Sequence, residues 1–171
     1  MNFVYSSTPD FSESETTSFI PVTGRRWRGA QLDIPERLQA QLISELIAGK
    51  FAMKQFLPGA AGHEHALCRV LDAQRALGER NNRFDEARFG GEAAVHALST
   101  VRALLRSRPP GDVVTAAEVV SVIAPAGWAR CDEVVDATVR QLLDGGELVE
   151  LAADAAGALA ERRFGRGPAF S

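Results

Sequence analysis

Apolar and polar positions alternate along this chain in two different rhythms. From Asp33 the pattern is helical: Ile34, Leu38, Leu42 and Leu46, with Ile43 and Ile47 beside them, fall on one stripe at spacings of three and four, and Gly49 closes it. Asp33-Ile34-Pro35-Glu36 supplies a capping carboxylate, a proline for the first turn and a glutamate three residues after the cap. A short apolar piece with Phe51, Met53, Phe56 and Leu57 stops at Pro58-Gly59. A second helix is predicted from about Gly62 to Leu77, on Ala66, Leu67, Val70, Leu71, Gln74 and Leu77, with Gly78 as its stop. Asn81-Asn82-Arg83-Phe84-Asp85 reads as a loop. A third helix follows from about Glu92 to Arg106, turning Val95, Leu98, Val101, Leu104 and Leu105 inward, and Pro109-Pro110-Gly111 breaks the chain.

Beyond that break the segments shorten. Asp112-Val113-Val114-Thr115 is extended, and Thr115 can cap a helix whose third residue is Glu118 and whose apolar side is Val119, Val120, Val122 and Ile123. Pro125-Ala126-Gly127 halts it. Asp132 is placed to cap the next helix, which buries Val134, Val135, Val139, Leu142 and Leu143 and ends at Gly145-Gly146. Glu147 to Leu151 alternates as a strand does, Asp154 to Gly157 turns, and Ala158 to Phe164 can return as its partner.

This order of elements resembles the winged helix-turn-helix superfamily. The residues that carry the resemblance are Val113 to Val120, then Cys131 to Leu143, then Leu142-Leu143-Asp144-Gly145-Gly146-Glu147-Leu148-Val149 leading into a wing. It covers about residues 91–165, less than half the chain, with the helix before Pro109 as first helix; no family is recognised for residues 1–90. The expected protein is mainly α: a tail over 1–24, a helical part over 25–90, a winged helix-turn-helix part over 91–165 with a two- or three-stranded β-ribbon, and a short tail over 166–171.

Composition agrees with a globular chain. Of the 171 residues 46% are apolar and 24% charged, enough to form a core, and no run of about 18 apolar residues marks a membrane span. Residues 1–24 hold nine Ser/Thr and three acids and read as a flexible tail. Two cysteines, Cys68 and Cys131, and an N-terminus without a basic start or apolar run fit a reduced, cytoplasmic setting. The formal net charge of −3 conceals contrast: residues 25–108 sum to +5 and residues 109–165 to −6. A basic middle and an acidic end call for different partners, or for each other.

The resemblance implies a helix placed in the DNA major groove, here Cys131 to Leu143. Arg130, Arg140 and Gln141 would then meet bases or backbone, Arg162 and Arg163 would act from the wing, and Arg25, Arg26 and Arg28 around Trp27 would assist. The expected function is that of a non-enzymatic DNA-binding regulator or nucleoprotein component, with double-stranded DNA as partner and pairing of two copies through the exposed helical part. The same helix carries Asp132, Glu133 and Asp136, whose charge opposes phosphates, so the alternative is an adaptor or inhibitor that binds a protein through this acidic helix. Arg25 to Arg28 can equally pin the tail to Glu147, Glu150 or Asp154.

Other chemistry is thin. His63, Glu64, His65 and Cys68 form the one metal-like group, but spacings such as Cys-x-x-Cys or His-x-x-x-His are missing, and a polar helix start with a small buried thiol is the simpler reading. Gly90-Gly91 precedes a helix without the residues of a phosphate-cradling loop. No base-oriented nucleophile stands out, and no cofactor or catalytic residue is expected.

Overall fold

The computed structural model describes residues 34–78, 89–123, 131–151 and 161–171. The cap expected at Asp33, the Asn81–Asp85 loop, the Pro125–Gly127 stop, the turn at 154–157, and Arg25, Arg26, Arg28 and Arg130 lie outside them. Among the described residues the chain is mainly helical: α1 (Glu36–Met53), α2 (Ala61–Ala76), α3 (Phe89–Arg106), α4 (Ala116–Ile123) and α5 (Cys131–Asp144). Three short strands, β1 (Val114–Thr115), β2 (Leu148–Leu151) and β3 (Arg163–Arg166), form an antiparallel sheet in the order β1-β3-β2.

Pro35 stands at the N-cap of α1 rather than inside its first turn, and its carbonyl accepts from the N–H groups of Leu38 (2.8 Å) and Gln39 (3.0 Å). The helix runs through Gly49 to Met53, so Gly49 is not a stop. It is a point of close approach: a Cβ there would lie 3.0 Å from Val70 Cγ2 and 3.2 Å from the Val70 backbone nitrogen. Missing one side chain lets α1 and α2 lie close together. The buried face of α1 is Leu38, Leu42, Glu45, Leu46 and Gly49; Ile47, expected in the stripe, faces solvent because at helical spacing it lies across the helix from Leu38. On α2 the buried residues are Ala66, Val70, Asp72, Ala73 and Ala76, with Leu67 and Leu71 only half-buried. Gly78, at φ 73°, ends it as expected. Phe51, Phe56 and Leu57, around the α1–α2 turn, remain exposed.

Central to the fold is α3, which packs against α1 and α2 on one side and α4, α5 and β1 on the other. Ala93, Ala97, Ser99, Thr100, Val101, Ala103, Leu104 and Leu105 are all buried, while Val95, expected inward, is exposed. A single apolar stripe is therefore the wrong description. The helix is covered from two directions, and small residues fill the second face. Ser99 Oγ and Thr100 Oγ1 are buried in this helix without a hydrogen-bond partner among the described residues.

Thr115 and Glu118 form the expected capping box: the Glu118 N–H donates to Thr115 Oγ1 (3.2 Å), and the Thr115 N–H donates to Glu118 Oε2 (3.0 Å). α5 is closed just beyond Asp144 by Gly146, φ 71°, where the Glu147 N–H reaches the Leu142 carbonyl (2.9 Å) and the Gly146 N–H the Leu143 carbonyl (3.0 Å). The return strand begins at Arg163, later than expected, and pairs Leu148 with Arg166 and Glu150 with Phe164. This register sets Phe164, with 1% of its surface exposed, opposite both Glu150 and Val114 and lets it fill the core. The residues after it also fold back: Gly167 N–H donates to the Glu147 carbonyl (2.8 Å) and Ala169 N–H to the Gly146 carbonyl (3.0 Å). A Cβ on Gly167 would run into the Gly146 carbonyl oxygen, so this contact requires glycine.

Candidate macromolecular interface

The amphipathic pattern of α5 puts Val135, Thr138, Val139 and Leu142 into the core and leaves Asp132, Glu133, Arg140, Gln141 and Asp144 exposed, with Asp136 at the margin. Asp136 is the junction of the face. Its Oδ2 is paired with Arg140 one turn along, and its Oδ1 accepts from Arg162 Nη1 at 2.8 Å. Arg162 also forks onto Glu150, Nε to Oε1 at 2.6 Å and Nη2 to Oε2 at 3.0 Å, and its guanidinium sits 5.3 Å from the centre of the Phe164 ring. Such two-point pairing and stacking fix a guanidinium in a way a lysine could not reproduce.

The structure thus brings Arg140 and Arg162 together on one carboxylate. It leaves Gln141 exposed beside them and separates Arg163, which points to the other face of the sheet across from Leu151. The Arg163 side chain is exposed and makes no hydrogen bond or ion pair with any described residue. Two cations expected to hold phosphates are instead balanced by Asp136 and Glu150. The hydrogen bonds from Arg162, stronger than the slight burial, hold the Glu150 carboxyl below its ordinary value, and Glu150 in turn raises Arg162. Asp132 and Asp144 then leave the exposed face of α5 net negative.

The contrast of charge along the chain is largely settled inside the molecule. Arg102 forks onto Glu147 at 2.8 and 2.6 Å, joining the basic middle to the acidic end. Glu118 collects Arg108, at 2.8 and 3.1 Å, and Arg37 of α1, and Arg108 Nη2 also donates to Gln41 Oε1 at 3.0 Å. Burial pushes the Glu118 carboxyl up, but the bonds from Arg108 and the Thr115 N–H, with the charges of Arg108 and Arg37, bring it below its ordinary value. Arg69 meets Glu45, 2.8 Å on each branch, and Arg106 meets Asp72 at 2.8 Å. Arg69, Arg102, Arg106 and Arg108 look like ordinary surface residues in the sequence; their partners lie 10 to 67 residues away. Glu147 and Glu150, where the Arg25–Arg28 cluster was expected to dock, are already held by Arg102 and Arg162.

Burial, assisted by Asp132, pushes the Cys131 thiol up to about 11, so at neutral pH it is a packed hydrophobe rather than a nucleophile. Cys68, expected to be a buried thiol, is exposed. Among the described residues no three His, Cys, Asp or Glu side chains gather closely enough to hold a metal, and no helix is long and apolar enough to cross a membrane. No family model, characterised protein or solved structure significantly matches the chain.

Proposed function

We propose that α3 through β3 form a winged helix-turn-helix module and that it binds another protein through the acidic face of α5. The fold reading is supported by the succession helix, strand, helix, helix and two strands, and by the central place of the last strand in the sheet. The binding reading rests on one observation: Arg140 and Arg162 both close on Asp136. A groove-reading helix gains affinity by bringing cations to phosphates and releasing counterions. Here those cations are neutralised internally, and the charge left outside repels a polyanion. A basic protein surface is complementary to it.

Duplex DNA is the second reading. Exposed, unpaired Arg163 favours it, and Arg130, Arg25, Arg26 and Arg28, which lie outside the described residues, would add to it. Titrating a labelled duplex at about 50 and 200 mM salt separates the two. The protein-binding reading expects no salt-sensitive duplex binding by the natural chain. It also expects a gain of roughly tenfold or more when Asp136→Asn and Glu150→Gln release Arg140 and Arg162. Steeply salt-dependent duplex binding by the natural chain, abolished by Arg163→Glu, overturns it in favour of DNA. With DNA set aside, a partner captured by the natural chain and lost with Asp132→Lys and Asp144→Lys completes the case.

A further inference from the structure

Away from α5 lies an open cleft of about 390 Å³, bounded by α2, the end of α3 and the segment after β3. His65 and Arg69 of α2, Arg106 of α3 and Arg166 of β3 line it, together with Phe170 and Ser171. Gathering three guanidinium groups in one hollow costs electrostatic energy unless each is compensated. Two are: Arg69 by the buried carboxylate of Glu45 and Arg106 by that of Asp72. Arg166 is not. Its Nη2 donates to the main-chain carbonyls of Leu105 and Arg108, both at 2.7 Å, which orient the group without neutralising it. Its Nε and Nη1 make no hydrogen bond with any described residue.

Arg106 shows what the cleft accepts. While Nη1 holds Asp72, Nε and Nη2 converge on the main-chain oxygen of Ser171, at 3.1 and 2.8 Å. One oxygen atom thus already sits in the fork that guanidinium offers to an oxyanion. The ring of Phe170 lies 5.7 Å from the Arg106 guanidinium and 5.5 Å from that of Arg166, an arrangement that steadies both cations.

We propose that this cleft binds a phosphate group carried by a small molecule, with the Ser171 oxygen marking the place of one phosphate oxygen. The donors are the Arg106 fork, once the phosphate oxygen takes the place of the Ser171 oxygen in it, two N–H directions of Arg166 and the imidazole of His65. They outnumber the two oxygens of a carboxylate and match the three terminal oxygens of a phosphate monoester. The volume falls within the roughly 300–1,000 Å³ of small-molecule sites, so an organic group is accommodated beyond the phosphate. The site shares no residue with the acidic face of α5 and stands or falls independently of the function proposed above.

Calorimetric titration of the full chain with inorganic phosphate, phenyl phosphate and benzoate, at ionic strength held constant with sodium chloride, tests the proposal. Both phosphates should bind saturably, phenyl phosphate the tighter. His65→Glu, a substitution at an exposed position, should weaken both by roughly tenfold or more, and Arg166→Lys should weaken them too. Lys54→Gln makes the same change of net charge at an exposed position outside the cleft and should change neither. Non-saturating heats, or heats that His65→Glu and Lys54→Gln alter equally, overturn the site. Benzoate binding as tight as phenyl phosphate overturns the assignment to phosphate.

Discussion

Against the α1–α2 side of α3, arginines meet carboxylates that have left water: Glu45 is 2% exposed and Asp72 is buried, and Arg69 and Arg106 reach in to them. Around α5 and the sheet the same residue types meet at the surface, with 70% of the Arg140 side chain exposed and Glu150 open to solvent. The distances are similar and the energetics are not. A surface pair gains little over two hydrated ions. A buried carboxylate has lost its hydration, so the molecule depends on the cation that replaces water. Ion pairs on the first side hold helices together, whereas those on the second chiefly set which charge the surface presents.

That difference can be broken or sharpened by experiment. The largest effect is expected from Arg69→Met, which strands the Glu45 charge in the core and should lower the free energy of unfolding by about 3–5 kcal/mol in urea titration. Adding Glu45→Leu should return most of the loss, because an apolar pair suits that site as well as an ionic one. A cost below about 1 kcal/mol for the single variant would place the two sides on the same footing.

Next in size is Glu118, which stands between the two sides. Glu118→Gln should cost about 1.5–3 kcal/mol at neutral pH through its charged hydrogen bonds. Because folding holds this carboxyl below its ordinary value of 4.5, its stabilisation is complete above that pH and fades as pH falls through the lower folded value. Urea titrations at a series of pH values should therefore show the natural chain losing stability into acid more steeply than Glu118→Gln. Parallel profiles would remove Glu118 as the acid-sensitive tie. The smallest effect belongs to Arg140→Ala, at most about 0.5 kcal/mol for an exposed pair one helical turn apart. A cost above 2 kcal/mol would mean that the Asp136 junction is structural after all.

What the sequence discloses here is what depends on neighbours along the chain. The Thr115–Glu118 box, the Gly145-Gly146 stop and the Gly78 stop are local, and each is where the residues indicate. Gly49 misleads because the signature of a helix end is also that of a close helix contact, and only the position of Val70 separates the two. The inward face of α3 is misjudged for a related reason: periodicity assumes one covering surface, and this helix has two. The candidate site is legible in composition but not in geometry. Arg140 and Asp136 are recognisable partners four residues apart, yet nothing local announces that Arg162 closes on the same carboxylate from 26 residues away, which reverses the electrostatic meaning of the face.

α3 is a party wall. Ala97, Thr100, Val101 and Leu104 give the α1–α2 hairpin and the α4–α5–sheet portion a common boundary, so no line drawn through the described residues yields two self-sufficient pieces. A fragment opening at the double proline would bare the inner surfaces of α4 and α5, and one closing at Arg106 would leave α3 wet along half its circumference. Replacing either neighbour in a chimera would oblige the other to be rewritten, because both read their shape from the same handful of small side chains.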